Sequence, residues 1–514
     1  MRLFGMTKTR ISRASARTLG AISVALLLGS CAGDDPQPEA RSAYSFENAA
    51  AAARLEGDDS RTWGASWQDI DLDGDADLLA GRHWRPAQLF ENSDAGFRNL
   101  NPGSRLLKGG DRHGCAWGEA NGDGLPDLYC VQGADKGTGS GPNQLFIQSA
   151  TGFEEAAERF GVEDRFGRGR TANWIDFDSD GDLDLFVGNH WREGHPNQTY
   201  RNDDGRFARV DIGLTEELAT VGSSWADWDR DGDDDLLLHQ LEPKPTVAYR
   251  NEGGLFVRTD IPEVTGSEWN AGAWGVYNGD GWPDLHLVSR TRSAILRNDR
   301  GEFSLQHEMR LNEGRMSAWL DAENDGDLDL YVVQGARSEN FQPVEGARDH
   351  RDFLIIRTRG GFVAPLRVPG SPDGAGNGDA VAASDHDRDG RVELFVTNGY
   401  FHSNGVHELV VSRSHIANWI GVDLVGTRSN PEGMGARIQV RTRSGTYWRE
   451  TNDGVNFRSQ SEAGYAHLGI ASDRRARIRL VWPDGTKDCF WAEANTVRRI
   501  EVGSEPCGSS IRRG

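Results

Sequence analysis

The stretch Asp69-Ile70-Asp71-Leu72-Asp73-Gly74-Asp75-Ala76-Asp77 returns six more times along the chain, in copies beginning at Glu119, Asp176, Asp227, Val276, Asp321 and Asp385. Successive copies start 50, 57, 51, 49, 45 and 64 residues apart. Counted from the first residue of each copy, position 3 is a carboxylate or an amide, position 5 Asp, position 6 Gly, position 9 a carboxylate and position 10 Leu. Two residues ahead of position 1 stands Trp67, Trp117, Trp174, Trp225, Trp274 or Trp319, and only Ala383 breaks the column. A register held through seven copies marks a repeat architecture.

The chemistry of the copies points to calcium. Oxygen-bearing side chains at alternating positions wrap a tight turn, and Ca²⁺ takes six to eight oxygens at about 2.3–2.6 Å. Carboxylates this close repel one another unless a cation neutralises them. The first, third and fourth copies are acidic at every odd position: Asp69, Asp71, Asp73, Asp75, Asp77; Asp176, Asp178, Asp180, Asp182, Asp184; and Asp227, Asp229, Asp231, Asp233, Asp235. The second offers Glu119, Asn121, Asp123 and Asp127. The fifth has Val276 at position 1 and keeps Asn278, Asp280 and Asp284. The sixth carries Asp321, Glu323, Asp325, Asp327 and Asp329; the seventh carries Asp385, Asp387, Asp389 and Glu393, with Arg391 at position 7. Ligand charge tunes affinity, so up to seven Ca²⁺ sites with graded occupancy are expected, the fifth weakest.

Through position 9 the loop resembles an EF-hand loop, but its surroundings are not helical. Small residues precede the Trp (Gly64-Ala65-Ser66-Trp67) and β-rich runs follow (Leu183-Asp184-Leu185-Phe186-Val187). Strand, calcium turn, strand is the reading. A second half also recurs, in Gln88-Leu89-Phe90, Gln144-Leu145-Phe146, Thr199-Tyr200-Arg201 and Ala248-Tyr249-Arg250, followed by Gly-Phe turns such as Gly152-Phe153 and Gly205-Arg206-Phe207. Four short strands per period predict an all-β, seven-bladed propeller over residues 44–413. The Trp column is expected to pack between blades. Residues 44–55 are open between an entry strand and a short helix.

The loops and Gly-Phe turns resemble FG-GAP/VCBS repeats, the calcium-binding blades also found in integrin α subunits. Residues 414–505 resemble the ASPIC/UnbV domain through Asn418-Trp419-Ile420-Gly421, Ser429-Asn430, Gly435-Ala436-Arg437-Ile438, Ser459-Gln460-Ser461, His467-Leu468-Gly469 and Val481-Trp482-Pro483-Asp484-Gly485. Alternating runs there predict a small β-sandwich-like domain, and 506–514 form a tail. Together the two blocks resemble the cartilage acidic protein family in its bacterial form.

Residues 1–30 read as a targeting leader: five cations from Arg2 to Arg17 and no acid, then an apolar run from Leu19 too short to span a bilayer. Leu28-Gly29-Ser30-Cys31 resembles a lipobox, which implies acylation of Cys31 and, with Ala32 following, an outer-membrane lipid anchor. Residues 31–43 are a polar tether. The remaining cysteines suit an oxidising compartment; Cys115 with Cys130, flanking the second turn, and Cys489 with Cys507 are the expected bridges. Net charge is −22 at pH 7 and concentrated in the turns, so nucleic acid is not an expected partner.

The far end of the second strand of each blade lies on the face opposite the calcium turns. Loops there carry His83, Trp84, His190, Trp191, His195, Tyr400 and His402, a candidate ligand face for a sugar or an acidic group. Gly-x-Ser-x-Gly, His-Glu-x-x-His and phosphate-binding Gly loops are absent from the sequence. The expected function is a calcium-binding cell-envelope lipoprotein that binds or adheres to carbohydrate or protein. The alternative is a calcium-dependent lyase, hydrolase or isomerase acting on polysaccharide or a secondary metabolite.

Overall fold

The computed structural model describes residues 44–508 apart from 56–61, 83–84, 101–106, 108–110, 134–140, 191–194, 215, 336–350, 359–360, 364, 369–377, 400–405, 452–454 and 457. The leader, Cys31, His83, Trp84, Trp191, Tyr400 and His402 lie outside the described residues.

Each copy of the loop joins the first two strands of a four-stranded antiparallel blade, seven in all, and the sheet of the first blade is extended to six strands by Val455–Asn456 and Ser459–Gln460. Their first strands are Thr62–Gln68, Arg112–Gly118, Gly169–Ile175, Thr220–Ala226, Ala271–Gly275, Gly314–Leu320 and Gly378–Ser384. Each of these inner strands packs against the next, and the seventh packs against the first, so the blades form a ring. The two sequence columns are cross-strand partners: Trp67 faces Leu78, Trp117 faces Leu128, and the pairing repeats to Ala383 opposite Leu394. The Trp column does pack between blades. Trp67 donates its indole N–H to Ala382 O in the seventh blade (3.2 Å), Trp174 to Ala116 O in the second (3.1 Å) and Trp319 to Ala273 O in the fifth (3.0 Å).

The last blade shows how the ring is tied. Its own repeat supplies Gly378–Ser384, Glu393–Asn398 and Glu408–Ser412, and the outer place is taken by Phe46–Asn48, with Phe46 opposite Ser412. Of residues 44–55, left open between strand and helix, Phe46–Asn48 is a strand that joins the beginning of the ring to its end, and the residues after it form a hydrogen-bonded turn (Ala53 N–H to Ala49 O, 2.9 Å). Outer strands are the least regular part. In the sixth blade the Gly361–Phe362 turn pairs with Arg357–Thr358 as a separate hairpin, and Leu366–Arg367 occupies the edge.

Beyond residue 414 two sheets pack face to face: Tyr465–Ala471, Asn418–Val425 and Thr496–Glu501 against Thr446–Glu450, Arg437–Arg441, Arg475–Val481 and Lys487–Glu493. Alternate residues of these strands (Ile420, Val422, Ile438, Val440, Ile478, Leu480) fill one apolar core. Disulfides join Cys115 to Cys130, directly opposite each other on paired strands, and Cys489 to Cys507.

Candidate metal centres and the two faces of the ring

The seven turns share one backbone. Position 6 is glycine with φ between 83° and 111° throughout, and position 4 is also left-handed: Leu72, Ser179, Arg230, Asn324 and Arg388 at φ 57–63°, Gly122 and Gly279 at 75–76°. A non-glycine residue in that region carries a conformational cost, offset here by hydrogen bonds to side chains. Asp69 Oδ1 and Oδ2 accept the N–H groups of Asp73 (3.1 Å) and Gly74 (3.0 Å), and Asp176 and Asp321 repeat the arrangement.

Position 9 has a structural role as well. Asp77 accepts the N–H of Ile70 (2.8 Å) inside the turn and that of Asn92 (2.6 Å) at the end of the third strand. Asp127, Asp184, Asp235 and Asp329 make the same two bonds in their blades. One carboxylate on the second strand thus ties the turn to the end of the third strand in these five blades. Burial, partly offset by those donors and reinforced by neighbouring acids, pushes Asp77 and Asp127 up to about 8 and Asp184 and Asp235 to about 9.

The donor set fits a hard cation. Carboxylate oxygens lie within 4.8 Å of one another in the first turn (Asp69, Asp71, Asp77), the third (Asp176, Asp178, Asp184), the fourth (Asp227, Asp229, Asp231) and the seventh (Asp385, Asp387, Asp389). Buried oxygens of Asp75, Asp178, Asp227, Asp229, Asp233, Glu323 and Glu393 lack any hydrogen-bond partner. Buried acceptors left without donors are costly unless an ion satisfies them. The sixth turn differs, because its acids are met by groups from distant segments. Arg449 lies 3.4 Å from Asp321, Arg357 2.7 Å from Asp327, and Tyr44 donates to Glu323 (3.2 Å).

The C-terminal domain covers the turn face. Tyr465 donates its hydroxyl to Asp385 Oδ2 (2.9 Å), and His467 bridges Asp385 (3.4 Å) and Asn324 (2.7 Å). Arg230 of the fourth turn pairs with Glu450, and Arg388 of the seventh lies over the Tyr465 ring while reaching Glu462 (2.8 Å). Gly281, Gly326 and Gly390 lie so close to Trp448, Tyr447 and Trp419 that a Cβ at any of them would come within 3.1 Å of an aromatic ring. Position 6 is therefore glycine in these turns for fit as well as for φ. A cavity of about 230 Å³ remains between the domain and the ring, bordered by Trp274, Trp319, Trp448 and His467.

From that domain a finger enters the ring. Ser459–Gln460 adds in parallel to the inner edge of the first blade, Ser66 opposite Gln460. Ala65 N–H donates to Ser459 Oγ (3.0 Å), Ala383 N–H to Ser461 Oγ (3.1 Å), and Gln460 exchanges two bonds with the Trp117 backbone. Inner strands otherwise present unpaired backbone groups along that edge.

At the opposite end of the inner strands, six of seven carry a β-bulge at one place, and the residues beside it are Trp63, His113, Arg170, Val221, Arg315 and Asp379. These stand four residues ahead of the Trp column, a spacing visible in the sequence and overlooked in reading it. Of the expected ligand face, His190 lies beside this ring, with Arg168 Nη1 3.2 Å from its Nδ1, and His195 packs on Phe166.

Comparisons with known proteins agree with the two-part layout. Residues 120–187, 176–238 and 277–332 match the family described as FG-GAP-like repeat, and residues 426–504 match ASPIC and UnbV. The chain is 26% identical over 192 residues to cartilage acidic protein 1 of Xenopus tropicalis, a match covering 36% of this chain and 28% of that protein. With cartilage acidic protein 1 of Homo sapiens it is 26% identical over 189 residues, 35% of this chain and 27% of that protein. The matched region thus spans less than a third of the length of these relatives. Among solved structures, the BP39L lectin from Burkholderia pseudomallei aligns with a TM-score of 0.48 at 10% identity, over 69% of this chain and 98% of the lectin.

Proposed function

We propose that this chain of FG-GAP-like repeats followed by an ASPIC and UnbV domain, a homologue of cartilage acidic protein 1 over about a third of its own length, is a calcium-stiffened binding module of the cell envelope. Its ligand is a carbohydrate or a protein, met on the ring face remote from the C-terminal domain. The observation that carries the reading is the asymmetry of the two faces. The turn face is occupied by the C-terminal domain through Tyr465, His467, Arg449 and Glu450. The remote face keeps the variable loops and a polar ring, and binding residues concentrate on loops held by a rigid scaffold.

Calcium in this reading is structural. Bound at the first, third, fourth and seventh turns, it would neutralise the clustered acids and lock the first hairpin of those four blades. Anchorage through acylated Cys31, on a tether of residues 31–43, holds the module at the outer membrane. A glycan array probed with the calcium-loaded chain, and again after chelation, tests the proposal. Calcium-dependent retention of defined glycans is the expected result; no retention under either condition removes the carbohydrate reading and leaves a protein ligand. Loss of membrane association in Cys31→Ser tests the anchor.

A further inference from the structure

The ring at the remote end of the inner strands has the composition of an anion site. A bulge re-aims the side chain it carries, and here six bulges converge. Trp63 and His113 meet edge to face at 4.6 Å, and Arg458, delivered by the finger of the C-terminal domain, lies 4.3 Å over Trp63. Asp379 takes both Arg315 (2.9 Å) and Arg458 (3.1 Å), and Asp111 pairs with His113 (3.1 Å). Arg170 is left over. It is 7% exposed, its Nη1 donates only to the carbonyl of its neighbour Gly169 (2.8 Å), and it forms no ion pair among the described residues. Burial and the nearby guanidinia of Arg168 and Arg458, opposed only in part by Asp111, push its pKa down to about 9. In a chain with net charge −22, a buried guanidinium whose nearest carboxylate, Asp111, acts on it without forming an ion pair is a costly exception.

We propose that Arg170 is the anchor of a site for the oxyanion of an acidic sugar, a carboxylate or a sulfate, with Arg458 and His113 beside it. A planar guanidinium fork matches such an oxyanion in two bonds. This rests on the glycan reading above and narrows it to acidic glycans. It also gives the docked C-terminal domain a part in binding, because Arg458 reaches the ring only through the finger.

Isothermal titration of the calcium-loaded chain with sodium sulfate, and separately with galacturonate, tests the site against chloride at equal ionic strength. Saturable binding of at least one oxyanion is expected, weakened about tenfold or more in Arg170→Met, the loss of one or two charge-assisted bonds, with the calcium-dependent Tm unchanged. Equal binding by the variant, or binding of neither oxyanion, overturns the site. Should Arg170→Met fail to fold, Arg170→Lys keeps the charge without the fork, and undiminished sulfate binding there overturns it as well. Oxyanion binding with no retention on the glycan array would uphold the anion site and remove the glycan reading. Retention of neutral glycans unaffected by Arg170→Met would remove the ring from recognition.

Discussion

Replacing Gln460 by alanine should loosen the C-terminal domain from the ring. Gln460 Nε2 donates to Trp117 O at 3.0 Å, and its Oε1 accepts the Trp117 N–H at 2.7 Å; Gln460 and Trp117 are both fully buried. Truncation leaves a backbone donor and a backbone acceptor without partners, at about 1–3 kcal/mol each. Entry of one water into the vacated polar space recovers part of this, so a loss of about 2–4 kcal/mol is expected. The readout is chemical denaturation paired with amide hydrogen exchange. Fast exchange is expected at Trp117, and also at Ala65 and Ala383, whose N–H groups donate to Ser459 and Ser461 of the same finger. A variant within about 0.5 kcal/mol of the parent, the scatter of ordinary surface substitutions, with those amides still protected, would refute the argument that the finger secures the ring.

Other outcomes follow from the same geometry. With calcium chelated, stability should fall as pH rises: Asp77 and Asp127 are raised to about 8 and Asp184 and Asp235 to about 9, so the folded state holds protons that the unfolded state releases near pH 4. The stabilisation is full below about pH 4 and lost through pH 8–9; a chelated melting temperature that climbs from pH 5 to pH 8 contradicts it. Trp174→Phe should cost about 1–2 kcal/mol more than Trp225→Phe, because Trp174 donates to Ala116 O while the Trp225 indole N–H has no partner; equal losses in urea melts would contradict that. Asp385→Asn should weaken both the calcium response and domain docking, since Tyr465 and His467 meet that carboxylate, and limited proteolysis between ring and domain is the check.

Much of the ring was legible because each turn repeats its own chemistry locally. Trp67 and Leu78 are columns in the sequence and partners in the sheet. The alternating acids announced the carboxylate clusters that the turns form, but not that Asp77 also clamps Ile70 and Asn92, since Asn92 stands at the end of the third strand. The strand at Phe46–Asn48 was ambiguous because three residues carry no period; its partner Ser412 lies at the other end of the ring. Ser459-Gln460-Ser461 stood out as a motif without a reason, and the reason is distant: its side chains meet the edges of the first, second and seventh blades. The crowding of Asp321 by Arg449 is hidden for the same reason. Charge counted along one stretch omits charge brought in by folding.

The most direct test of the account is calorimetric unfolding of the chain at neutral pH in millimolar calcium and in excess chelator. A site held at one hundred times its Kd contributes about 2.7 kcal/mol, so even the first, third and fourth turns alone should raise Tm by many degrees, with saturation on calcium titration. A Tm that is the same in calcium and in chelator would contradict the claim that the acidic turns are calcium sites that hold the blades together.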